Sequence, residues 1–158
     1  MLKKFRSSKK SERGQSFMEL AISLIFLLVL LTVIIDLGWA FYTMIALRDA
    51  AQEAAAYGTM CPDSALIAER LRLSASTPLD MDDIPNDADH IKVEFLDPLD
   101  ASGTPDPTKN TRGNLVRVTA QVDHKIIVPF AATFIGGTTT YPLRVNVADT
   151  IMRDECPD

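Results

Sequence analysis

The sequence predicts an α+β chain: a long N-terminal helix, half transmembrane and half amphipathic, packed on a small antiparallel sheet of about three strands. Three observations carry this expectation. Residues 15–35, QSFMELAISLIFLLVLLTVII, hold no charge except Glu19. That run flows without a break into LGWAFYTMIALRDAAQEAAAYG, which is again helical in pattern. Beyond it, three stretches alternate apolar and polar residues in the manner of half-buried strands.

The helix is the first element. Leu20–Ile35 supplies sixteen uncharged residues, about 24 Å of helix against a hydrocarbon core of about 30 Å. Extending the span from Phe17 to Trp39 brings it to about 33 Å. Glu19 then falls near one interface and Asp36 near the other, with Trp39, Phe41 and Tyr42 following as an aromatic belt. Asp36 has two readings, an outer membrane boundary marked together with Trp39, or a contact with another subunit. Farther on, Arg48, Asp49, Gln52 and Glu53 share one helical face, while Leu47, Ala50, Ala51, Ala54 and Tyr57 share the other. Gly58 and Pro62 are the expected stop signals.

The charge distribution orients the span. Residues 1–14, MLKKFRSSKKSERG, hold six Lys/Arg and one Glu, a net +5. The remainder holds 10 basic and 20 acidic residues, a net −10. A cationic head favours the cytoplasmic side of a membrane, so the acidic part faces outward. An acidic body also argues against nucleic-acid binding, which needs a basic patch. The expected organisation is a basic leader over 1–14, a transmembrane helix over 15–40, and an extracytoplasmic α+β domain over 41–158 that includes the amphipathic helix 41–57. The span is too long for an ordinary signal peptide, whose apolar core is about 7–15 residues.

The outer domain follows in order. SALIAERLRLSAS is expected to form a short helix with Ala65, Ala68 and Leu71 to Leu73 as its apolar stripe. An acidic, turn-rich stretch, LDMDDIPNDADH, comes next. Ile91, Val93 and Phe95 then mark a strand, as do Val116, Val118, Ala120 and Val122, and finally Tyr141, Leu143, Val145 and Val147. Residues 97–114 are rich in Pro and Gly and longer than ordinary connections; they form either a contact surface or a solvated loop. The apolar segment VPFAATFIGG, bounded by Pro129 and Gly136-Gly137, is expected to pack on the helix.

Candidate chemistry is sparse. Cys61 opens the outer domain and Cys156 nearly closes it; they are either one disulfide in an oxidising compartment or two free thiols. The cluster Asp80, Asp82, Asp83, Asp87, Asp89 invites a calcium reading, but it lacks regular ligand spacing and Pro85 interrupts it. His90 and His124 share no ligand-like spacing, so no metal site is expected. Phosphate-cradling and nucleophile-elbow motifs are missing. Neither an enzyme nor a cofactor-dependent protein is expected.

Glu19 stands five residues past Gly14, counting Gln15 as the first, the spacing of a prepilin-type leader. Together with ERGQSFMEL, the run IIDLGWAFYTMIALRDAAQEAAAYG and the tail VRVTAQVDHKIIVPFAATFIGG…YPLRVNVADTIMRD, this chain resembles the TadE-like minor pilins, or pseudopilins, of the tight-adherence (Tad) pilus, relatives of type IV pilins. The resemblance covers residues 12–58 and about 115–153. It implies cleavage between Gly14 and Gln15 by a prepilin peptidase, with Glu19 as the carboxylate of processing and assembly. It also implies residence in the inner membrane, with the N-terminus in the cytoplasm. The implied partners are other pilin and minor pilin subunits, the inner-membrane assembly platform and the lipid bilayer. The implied role is assembly or priming of a pilus. The competing expectation is an uncleaved single-pass anchor carrying a binding or scaffold head.

Overall fold

The computed structural model describes residues 10–75, 77–79, 84–100, 102–126, 137 and 139–156, with side chains from Gly14 onward. Helix α1 spans Lys10–Met60, about 77 Å at the ordinary rise. Helix α2 spans Ser64–Leu73. Strands β1 (Ile91–Leu96), β2 (Leu115–Lys125) and β3 (Thr140–Thr150) form one antiparallel sheet in the order β1-β2-β3. The chain is therefore α+β, a long N-terminal helix with a small three-stranded sheet.

β2 is the central strand, and its alternation is regular. Val116, Val118, Ala120, Val122 and His124 are buried, while the residues between them are half-buried or exposed. The inward residues pair across the sheet: Phe95 with Val116, Ile91 with Ala120, Ala120 with Val145, and His124 with Tyr141. Opposite this face lies the upper half of α1, where Leu47, Ala51, Ala54 and Ala55 are buried in the core. Small side chains on α1 let the helix lie close to the strands. Tyr57, expected on the buried face, is 37% exposed; its place in the core is taken by Ala54, Ala55 and Gly58, which face the sheet more squarely.

Gly58 does not end the helix. It lies two residues inside α1, and Cys61 still donates to the Tyr57 carbonyl at 3.0 Å. A Cβ on Gly58 would stand 2.9 Å from Ile67 Cδ1 and 3.2 Å from Val116 Cγ2. Gly58 is thus a point of close approach between three elements, and Pro62 remains the residue that cannot continue the helix.

α2 begins where the Asp63 carboxylate accepts from the N–H groups of Ala65 (2.8 Å) and Leu66 (3.2 Å), an N-cap. Its buried residues are Ile67, Ala68 and Leu71, whereas Ala65 and Leu73 are exposed. The expected stripe is therefore corrected at both ends: Ala65 and Leu73 face outward, and Ile67 fills the space against Gly58. Residues 97–100 and 102–114 are held by local bonds. Asp97, Asp100 and Asp106 each accept from a backbone N–H two residues on, a 3₁₀ turn covers Pro107–Lys109, and Asp106 donates its N–H to the Phe95 carbonyl. The expected packing of VPFAATFIGG lies outside the described residues, as do Asp80, Asp82 and Asp83.

Candidate functional site

At the start of the described side chains, Gly14, Gln15 and Glu19 are exposed on α1. Gln15 Nε2 donates to Glu19 Oε1 at 3.3 Å, the i, i+4 contact that helical geometry offers. A Cβ on Gly14 would meet nothing within 4 Å. Above Glu19 the helix is bare. It is long and apolar enough to cross a membrane, and none of its apolar window is buried against the rest of the chain. The hydroxyl of Thr32 inside this stretch donates back to the Val29 carbonyl at 2.7 Å.

Asp36 is the first buried residue after that bare stretch, at 9% exposure. Here the sheet reaches the helix. α1 supplies Asp36, Ala40 and Met44, β2 supplies His124, and β3 supplies Tyr141 and Leu143 to the wall of one groove of about 340 Å³. Asp36 and His124 are thus brought to a common wall. Trp39 and Tyr42 stay half exposed on the outer side of α1, their rings edge to face at 6.0 Å. His124 is 9% exposed, and its Nε2 has no hydrogen-bond partner. The sequence offered His124 no ligand-like spacing. The usable signal was its register, since it continues the inward alternation of Val116, Val118, Ala120 and Val122.

At the other end of the head, Cys61 and Cys156 are joined by a disulfide, with Cα atoms 4.1 Å apart. Cys61 is fully buried at the end of α1. The C-terminal tail reaches it along a short path. Ile151 donates to Asn114, and Met152 and Arg153 both donate to the Thr59 carbonyl. The Arg112 N–H donates to Asp154 Oδ1 at 2.6 Å.

The titratable groups elsewhere serve local structure. Asp87 accepts from His90 Nδ1 at 2.7 Å, and this hydrogen bond holds its carboxyl below the ordinary aspartate value. Lys109 pairs with Asp97 at 3.2 Å. Glu94, largely buried, lies 2.6 Å from the Lys92 ammonium. Among the described residues, no group of three or more His, Cys, Asp or Glu is arranged to hold a metal ion.

An exposed carboxylate thus stands five residues past an unobstructed glycine, at the foot of a bare apolar helix. Residues 14–56 match the TadE-like protein family. The TadE-like segment begins at Gly14 and takes in Gln15, Glu19, Asp36 and Trp39. It lies wholly within α1 and ends before Gly58 and Cys61, so the sheet, His124 and the disulfide lie beyond it. Through this segment the chain is similar to proteins of the Tad pilus. No curated protein and no solved structure matches the chain.

Proposed function

We propose that this chain is a minor pilin-like structural subunit that acts in assembly or priming of a Tad-type pilus. In this reading residues 1–14 are a basic leader that holds the N-terminus in the cytoplasm. Residues 15–40 cross the inner membrane, and residues 41–158 form a head outside it. A prepilin peptidase cuts between Gly14 and Gln15. The observation that carries the reading is that the TadE-like match starts at Gly14 and runs up a helix whose lower apolar stretch lies bare among the described residues. Such a surface needs lipid, or the helices of sibling subunits, around it.

Cleavage changes the physics of the helix foot. It removes six cations and creates an ammonium on Gln15, one helical turn from Glu19. A carboxylate inside the bilayer is costly, by about 2.5–3.5 kcal/mol at its centre and less toward the interface. Pairing with an ammonium, in its own chain or a neighbour's, offsets much of that cost. Asp36 and Trp39 mark the outer boundary of the span. The inner-membrane assembly platform and other pilin subunits are the partners, with the helix passing from lipid to protein surroundings.

The test is Gly14→Val in cells that make the pilus. Since a Cβ on Gly14 meets nothing within 4 Å among the described residues, the change is expected to leave the fold intact. The reading expects the leader to be retained and the subunit to be lost from sheared filaments and assembly complexes. Equal processing and equal incorporation of variant and wild type would contradict it.

A further inference from the structure

Cleavage between Gly14 and Gln15 leaves a glutamine at the N-terminus, where its side chain is able to close on its own amine. We infer that Gln15 is a site of cyclisation to pyroglutamate and that Glu19 holds it open as a free ammonium, an inference that rests on the pilin reading above.

The reaction is intramolecular. The Gln15 backbone nitrogen, freed by cleavage, attacks the side-chain carbonyl carbon Cδ. A bond forms between that nitrogen and Cδ, and the bond from Cδ to Nε2 breaks. A proton from the amine leaves with Nε2 as ammonia. Nothing is oxidised or reduced, and the product is a neutral lactam.

Ring closure has two requirements, and Glu19 opposes both. The carboxamide has to swing back to its own backbone nitrogen. In the structure Gln15 Nε2 instead donates to Glu19 Oε1 at 3.3 Å, one turn farther along α1. That bond draws the carboxamide down the helix, whereas the backbone nitrogen lies on the N-terminal side of Cα. Closure breaks it, and a hydrogen bond to a charged acceptor is among the stronger kinds. Water competes less for such a bond at the edge of a bilayer than in bulk, so it holds better there.

The nitrogen also needs its lone pair. An ammonium paired with a carboxylate has none to offer, and residues 15 and 19 are neighbours on the helix surface. Between Gln15 and Asp36, Glu19 is the only acidic residue, so no other carboxylate of the lower helix takes its place. The arrangement is self-preserving. Cyclisation would delete the ammonium and leave Glu19 in the membrane without a counter-ion, the costly state.

The experiment uses the full chain carrying Ser11→Ile, Arg13→Gly and Gly14→Arg, which place a factor Xa site directly before Gln15, so no prepilin peptidase is needed. The chain is cut in detergent micelles, and its intact mass is followed for the species lighter by one ammonia. With Glu19 present the amine form is expected to persist. Glu19→Gln keeps an acceptor without the charge and is expected to cyclise about threefold faster; Glu19→Leu keeps neither and should cyclise about tenfold faster. Both replacements are good helix formers at an exposed position, so α1 is kept. Gln15→Ala is expected to lose no ammonia, which assigns the loss to Gln15. Equal rates with and without Glu19, slower cyclisation in its absence, or ammonia loss from Gln15→Ala would overturn the proposal. The unmodified chain recovered from cells is expected to keep its ammonia once processed, and a processed chain that is wholly cyclised would also overturn it. A recovered mass that still includes residues 1–14 would instead remove the cleavage itself.

Discussion

The Met152 N–H donates to the Thr59 carbonyl at 2.7 Å, stitching the C-terminal tail onto the last turn of α1. Arg153 donates to the same carbonyl at 3.2 Å, and Cys156 is bonded to Cys61 just beyond. At the lower end, His124 and Tyr141 meet α1 at the level of Asp36. The head is thus held to its helix both at the helix end and roughly two dozen residues below it.

The upper attachment includes a covalent link across 95 residues of sequence. Closing a loop of that size in the unfolded chain is worth about 2–4 kcal/mol in typical cases. Reduction of the full chain in detergent is expected to lower the unfolding temperature of the head by that equivalent. Cys156→Ser should do the same without reductant. The tail's backbone bonds to Thr59 remain, so the head should still fold. Scanning calorimetry with and without reductant checks this, and identical transitions would contradict it.

Gly58 tests the close approach of α1, α2 and β2. Gly58→Ala gains up to about 1 kcal/mol in helix propensity. It also forces a methyl against Ile67 and the two methyls of fully buried Val116, an overpacking cost of about 1–3 kcal/mol. Ile67 can turn its terminal methyl aside, but Val116 presents both branches and cannot. The expected net change is a loss of about 1 kcal/mol. Val116→Ala should cost less in the Gly58→Ala background than in wild type, a coupling that denaturant unfolding of the four chains reads out.

Acid should loosen the loops of the head first. Asp87 is held below 3.8 by the hydrogen bond from the His90 side chain. Asp97 is lowered mainly by the Leu99 N–H, Asp100 by the Ser102 hydroxyl, and Asp106 by the Thr108 N–H. A carboxyl lowered in the folded state contributes stability that is complete above its unfolded value. That contribution fades as pH falls through the folded value. Stability of the head should therefore be level above about pH 5 and decline below about pH 4. Asp87→Asn should reduce the steepness of that decline. Urea midpoints measured across this range check the sign; a head that gains stability on acidification would contradict it.

Glu19 carries the assembly prediction. Glu19→Gln keeps the size of the side chain and the apolar span but, on the proposed cleavage, would leave the new ammonium of Gln15 without its partner. Breaking a buried pair by removing one member is strongly unfavourable. Incorporation into assembly complexes, relative to the amount in the membrane, is expected to fall by about tenfold or more. Equal incorporation would remove the pairing from the account.

Much of the architecture can be read in the residues, and the reason is periodicity. Val116, Val118, Ala120 and Val122 alternate so strictly that the strand and its buried face follow at once. The uncharged run to Ile35 and the alanine-rich continuation mark one helix in the same way. What escaped is contact between distant elements. Gly58 resembles a helix stop until Val116 and Ile67 are seen to crowd it. Ala65 and Ile67 compete for the inner face of α2, and only the packing of α1 decides for Ile67. Asp36 and His124 are 88 positions apart, and no local pattern links them to one groove. The foot of the helix was more legible, because Gly14, Gln15 and Glu19 lie within six residues and their relation is set by helical spacing alone.

The most direct test of the account is the intact mass of the chain recovered from membranes of cells with an active prepilin peptidase. The account predicts a polypeptide that starts at Gln15, with or without the loss of ammonia that accompanies cyclisation of an N-terminal glutamine. A mass that still includes residues 1–14 would contradict it.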